Sequence, residues 1–205
     1  WGELESEEDH VLNKETKEIL HELIKHIRVG RDTLEMNQDY TPVKEMQDLL
    51  RNLGFFEISR KVLGLLDSVE EDEETGELGE VALNTRELCL LCNELVYWFA
   101  WGNPLNQAIV YDDLEFYLDS LTSEIKSYKV IAAIFVGNEE LMKLVPHSLI
   151  EDMAYKICQE GQSHYYLALP MAITHVGDKN IPKNQFEIIR SLCNPDRLEQ
   201  TLCFI

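Results

Sequence analysis

Hydrophobic residues recur along this chain with the spacing of α-helices. Leu20, Leu23, Ile24 and Ile27 fall at i, i+3, i+4 and i+7, which is one helix face. Ile150, Met153, Ala154, Ile157 and Cys158 carry that spacing one step further, and Val43, Met46, Leu50 and Leu53 follow it with one gap. No segment alternates apolar and polar positions between turn signals, as a half-buried strand does. The pattern predicts helices near 14–30, 42–53, 56–67, 84–101, 104–121, 123–136, 139–145, 148–160, 163–176, 182–193 and 195–203.

The punctuation agrees with short helices. Thr41 and Pro42 supply a cap and a first-position proline. Gly54 suits a left-handed stop. Ser148 with Glu151 forms a capping box on a helix closed by Gly161, and Asn84 with Glu87 forms a similar start. Asn103-Pro104 breaks the chain after an apolar helix and begins the next one. Pro170, inside an apolar pattern, predicts a kink or a new helix. Short connections let neighbours pair as antiparallel hairpins. The helix at 84–101 and the second half of the one at 123–136 are apolar on nearly all sides and belong in the middle of a stack. The fold class is therefore all-α, an armadillo/HEAT-like solenoid. It rests on helix lengths and pairing, because no strict sequence repeat is visible.

Residues 67–80 read DSVEEDEETGELGE, which is polar and acidic. They are expected to form a linker loop between N-terminal helices at 1–66 and a C-terminal solenoid part at 81–205. The run Glu70-Glu71-Asp72-Glu73-Glu74 lacks the alternating ligand offsets of a calcium loop, and its bland reading is a solvated linker. Trp1-Gly2-Glu3 carries no initiator methionine, so a piece of a longer protein is expected.

Charge and chemistry narrow the function. With 38 acidic against 18 basic residues the net charge is -20, which repels nucleic-acid backbones and anionic lipid surfaces. The longest apolar stretch, Leu88 to Trp101, contains Asn93 and Glu94. It is shorter than the roughly 20 residues of a membrane span. Five cysteines in an ordinary composition suggest no disulfide framework and favour a reducing compartment. Cys89 and Cys92 sit at C-x-x-C spacing inside an apolar helix. They lack the further ligands of a zinc site and the strand-to-helix setting of a redox motif, so they read as core. No H-E-x-x-H pair, phosphate loop or supported Ser/His/Asp set is present. No catalytic, cofactor-binding or metal residue is assigned. The residues singled out are those of a structural turn: Gly102, Asn103, Pro104, Asn106 and Gln107. Within it, Gly102→Val is expected to cost more stability than Asn103→Ala.

The block Leu91-Cys92-Asn93-Glu94-Leu95-Val96-Tyr97-Trp98-Phe99-Ala100-Trp101-Gly102-Asn103-Pro104-Leu105-Asn106-Gln107 resembles the homology region shared by inositol trisphosphate receptors and ryanodine receptors. In that family an apolar helix ends at a G-N-x-x-N-Q turn and a second helix follows, here Ala108 to Leu118. Gln47-Asp48-Leu49-Leu50-Arg51-Asn52-Leu53-Gly54-Phe55-Phe56-Glu57-Ile58 is similar to a helix end of the family, and Ile181-Pro182-Lys183-Asn184-Gln185 to one of its helix starts. The likeness spans about Thr16 to Arg197. The intact Gly102-Asn103 turn places it nearer the inositol trisphosphate receptor branch. The family's basic phosphate-binding cluster belongs to another region and has no counterpart here.

The resemblance implies a non-catalytic interaction and relay domain of an intracellular calcium-release channel. Its partners would be neighbouring domains of the same channel, in a homotetramer, on the cytoplasmic face of an endoplasmic reticulum-type membrane. The competing reading is a free-standing armadillo/HEAT adaptor that binds a basic peptide or protein.

Overall fold

The computed structural model describes residues 7–30, 40–68, 79–121, 125–160 and 164–195. The expected helix at 195–203 beyond its first residue, the stop at Gly161 and positions 69–78 of the acidic linker lie outside the described residues.

The fold is all-α, and its helices fall into successive groups of three. The first group holds α1 (Glu7–Ile27), α2 (Lys44–Asn52) and α3 (Phe55–Leu63), the last prolonged by a 3-10 turn at Gly64–Ser68. The second holds α4 (Glu80–Ala100), α5 (Pro104–Tyr111) and α6 (Leu114–Asp119). The third holds α7 (Ser127–Phe135), α8 (Glu139–Leu144) and α9 (His147–Glu160). A 3-10 turn at His164–Leu167, α10 (Ala168–Ala172) and α11 (Pro182–Leu192) begin a fourth. The leading helices stack in order: α1 packs on α4, α4 on α7 and α7 on α10. That stacking of like elements on their neighbours is the geometry of a solenoid.

α4 and α7 hold the centre of the core, as their all-round apolarity predicts. Leu95, Val96 and Phe99 of α4 and Ile131, Ile134 and Phe135 of α7 are fully buried. Phe55 meets the Phe99 ring edge-on at 5.8 Å, and Phe56 stacks on it at 6.4 Å. Truncating such an aromatic to alanine typically costs about 3–5 kcal/mol.

Several predicted boundaries move, each for a local reason. Thr41 and Pro42 do not cap α2. They form a two-residue strand, β2, paired antiparallel with β1 (Arg28–Val29). α2 begins after Val43, whose N–H donates to the Ile27 carbonyl at 2.7 Å. α4 begins at Glu80, a turn before Asn84. Asn84 and Glu87 instead accept from the Lys17 ammonium of α1. α9 begins at His147, before the expected cap at Ser148. The helix expected at 104–121 is two helices. The Asp113 N–H turns to the Val110 carbonyl at 3.2 Å, and its carboxylate pairs with Arg60 Nε at 3.1 Å. The break turns Leu114, Tyr117 and Leu118 into the core. The segment around Pro170 is the short α10, followed by a hairpin of β3 (His175–Val176) and β4 (Lys179–Asn180).

Candidate functional site

Helices end with carbonyls that have no partner in their own ladder, and a buried helix end must find donors elsewhere. α4 ends inside the core at Ala100, so its last carbonyls need them. Gln47 of α2 supplies two. Its Nε2 donates to the Trp98 carbonyl at 2.7 Å and the Trp101 carbonyl at 2.9 Å. Asn106 supplies another, from Nδ2 to the Phe99 carbonyl at 2.8 Å, and reaches the Gln47 carbonyl at 3.3 Å.

The expected turn lies on this junction. Gly102 has φ of 68°, the left-handed region where a side chain is strained although nothing crowds the space a Cβ would take. Asn103 follows as the cap of α5: its Oδ1 accepts from the Asn106 N–H at 3.4 Å. Its Nδ2 donates to Gln47 Oε1 at 3.3 Å and Asp48 Oδ1 at 3.2 Å. Pro104 takes the first helical position, where no N–H is required. Arg51 ties the group to α2, donating to Asp48 Oδ1 and Asn106 Oδ1, both at 2.8 Å. The hydrogen bond from Asn103, helped by Arg51 and Lys44, holds the Asp48 carboxyl below the usual carboxylate range.

Gln107 does not face this first junction. It is fully buried and points to the next helix end, donating to the Ala133 carbonyl at 2.9 Å and the Val136 carbonyl at 2.8 Å. Asn138 completes the set: its Nδ2 donates to Gln107 Oε1 at 2.9 Å, and its Oδ1 accepts from the Leu141 N–H at 3.2 Å. The junctions of α4 with α5 and of α7 with α8 are thus the same device. In each, a glutamine from the preceding group holds two carbonyls three residues apart. A left-handed glycine follows, Gly102 or Gly137, and then an asparagine that caps the next helix and holds the glutamine oxygen. Gln47, Arg51 and Asn138 are members that the turn alone does not reveal. The repeated Gly-Asn after an apolar helix is the signal that points to Asn138. Gln47 and Arg51 carry no such signal, because they are far away in sequence.

A cleft of about 560 Å³ opens beside the first junction, lined by Lys44, Asp48, Arg51 and the turn itself. Its guanidinium is already engaged by Asp48 and Asn106. Elsewhere, burial pushes the Cys89 thiol up to about 11 and the Cys92 thiol up to about 12, so neither is a thiolate poised for redox or metal chemistry. Among the described residues no group of three or more His, Cys, Asp or Glu side chains is placed to hold a metal. Among them, too, no helix is long and apolar enough to cross a membrane.

Stacked three-helix groups joined by buried amide junctions define an armadillo-like α-solenoid. The chain belongs to the RIH domain family, the homology domain of inositol trisphosphate and ryanodine receptors, whose family model matches residues 17–203. It is also similar to the inositol 1,4,5-trisphosphate receptor itr-1 of Caenorhabditis elegans, with 24% identity over 160 residues. That match covers 76% of this chain and 5% of the relative, so the chain spans a small part of the relative's length.

Proposed function

We propose that this chain is a non-catalytic relay domain of an inositol trisphosphate receptor-type calcium-release channel. Its partners are neighbouring domains of that channel, within a homotetramer at an endoplasmic reticulum-type membrane. One observation carries the reading beyond family membership. The turn Gly102-Asn103-Pro104-Asn106-Gln107 links three groups of the solenoid through buried amides, with Gln47 on one side and Ala133 and Val136 on the other. A displacement of one group is therefore passed to the next as a rigid-body shift, because packed and hydrogen-bonded interfaces do not deform smoothly. The adaptor reading has no comparable support.

The test is made in the full-length parent protein, reconstituted in vesicles loaded with calcium. Gln107→Ala should reduce release evoked by inositol trisphosphate at least several-fold, with ligand affinity unchanged. A parent that releases no calcium, or a variant that releases it normally, would refute the proposal.

A further inference from the structure

α5 and α11 begin alike. Pro104, Asn106 and Gln107 take the first, third and fourth positions of α5, and Pro182, Asn184 and Gln185 take the same positions of α11. The two asparagines also make the same bonds. Asn106 Nδ2 joins the Gln47 carbonyl to the α4 end at Phe99. Asn184 Nδ2 joins the Met142 carbonyl, at 2.9 Å, to the α10 end at Ile173, at 3.0 Å. Gln47 and Met142 are themselves equivalent, since each donates its N–H to the cap residue of its helix, Val43 at 3.1 Å and Asn138 at 3.2 Å. α11 is therefore seated in its group as α5 is in its own.

The next position breaks the likeness. Gln47 holds the end of α4 and Gln107 holds the end of α7. Gln185 is half-buried, and its amide makes two long bonds of 3.3 Å within its own corner, to the Thr174 carbonyl and Asn180 Oδ1. Beside it Phe186 is 63% and Ile189 61% exposed. With Pro182 and Cys193 they form an apolar stripe at helical spacing. The position of Ile189 corresponds to Tyr111 of α5. There the Tyr111 ring packs edge-on against Phe135 at 6.0 Å, on the helix whose end Gln107 holds.

We infer that α11 is the docking face for the C-terminal end of one further solenoid helix of the parent chain. The last-turn carbonyls of that helix accept the Gln185 amide, and its apolar side covers Phe186 and Ile189. The helix should end as α4 and α7 do, with an apolar last turn and a glycine stop. The inference rests on the reading of this chain as a domain of a longer receptor, but not on calcium conduction.

The test is hydroxyl-radical footprinting of the full-length parent, native and urea-unfolded. Phe186 and Ile189 should be modified at least tenfold more slowly in the native protein. Gln185→Ala should raise their native modification rates about tenfold, the effect of losing two hydrogen bonds that hold a local contact closed. Gln185→Glu, which cannot donate, should act in the same way. Native rates equal to unfolded rates would overturn the inference, as would protection unmoved by both variants. Protection that disappears on dilution would also overturn it, by assigning the stripe to a second copy. Protection in a parent that conducts no calcium would keep this inference and remove the channel reading.

Discussion

The contact between the second and third groups and the contact between the third and fourth differ in the donor they offer and in the turn that follows: α7 ends at the Gly137-Asn138 cap, whereas α10 runs into the β3–β4 hairpin and α11 has no side-chain cap. At the first, the fourth position of α5 is Gln107, and its amide draws the end of α7 against α5. At the second, the equivalent position of α8 is Met142, which has no donor to offer. There a largely apolar cleft of about 530 Å³ separates the corner of α7 and α8 from α10, lined by Val136, Gly137, Met142, Leu167 and Met171 among others. The lesson is that hydrophobic burial assembles the stack but does not close each junction. The donor that satisfies a buried helix end also fixes how near the next helix comes.

The strongest way to break this contrast is to remove the donor where it is present. Gln107→Ala leaves the carbonyls of Ala133 and Val136 and the Asn138 amide without their partner, the first in a buried site and the other two in part-buried ones. Each such orphan costs about 1–3 kcal/mol, so a total loss of about 3 kcal/mol is expected. Chemical denaturation should show it as a lower midpoint with an unchanged slope. Met142→Gln, the reciprocal change, should not produce a gain of the same size, because α10 runs into the β3–β4 hairpin, which pairs His175 with Asn180, and not into a Gly-Asn cap that would hold the glutamine oxygen. If Met142→Gln stabilises by as much as Gln107→Ala destabilises, this position alone governs both junctions; an unchanged midpoint in Gln107→Ala would show that it governs neither.

The turn at Gly102 comes next in magnitude, and the contacts of Asn103 predict the opposite order from the one expected from sequence. Asn103→Ala removes a helix cap, worth about 1 kcal/mol. It also strands Gln47 Oε1 in a buried site, for about 1–3 kcal/mol more. A Cβ on Gly102 meets no neighbour within 4 Å, so Gly102→Val carries mainly the left-handed strain of about 1–2 kcal/mol. Asn103→Ala should therefore unfold at the lower temperature in thermal melts. The reverse order would mean that the amide contacts of Asn103 contribute little.

What the chain reveals before folding follows from the range of each signal. The helices and the apolar centre at α4 and α7 are legible because periodicity is local. The starts at Thr41-Pro42 and Asn84 are misplaced because long-range partners, the Arg28–Val29 strand and Lys17, claim those residues. The turn at 102–107 is visible through its glycine and proline, but its meaning is not. Gln47 and Arg51 are more than fifty residues away, and no spacing rule connects them to it. The repeat is hidden for a related reason: what recurs is a few hydrogen-bonding positions, while the apolar residues between them differ from group to group.

The smallest effect expected is on acid stability, through Asp48. Asn103, Arg51 and Lys44 favour its charged form, so its carboxyl titrates lower in the folded protein than in the unfolded chain. An unfolded aspartate titrates near 3.9, roughly the ordinary value. A depressed folded value means that the unfolded chain binds the proton more readily. The stabilisation is then complete above that pH and is lost as pH falls through the folded value. The group lies at the surface of the cleft, where solvent screens it, so the effect should be modest. Asp48→Asn keeps an acceptor for Arg51 and Asn103 but removes the titration. Melting curves of the two proteins from pH 7 to pH 3 should therefore converge at the acid end, with the native aspartate the more stable at neutral pH. Parallel curves over that whole range would show that Asn103 serves the junction through Gln47 and the α5 cap alone.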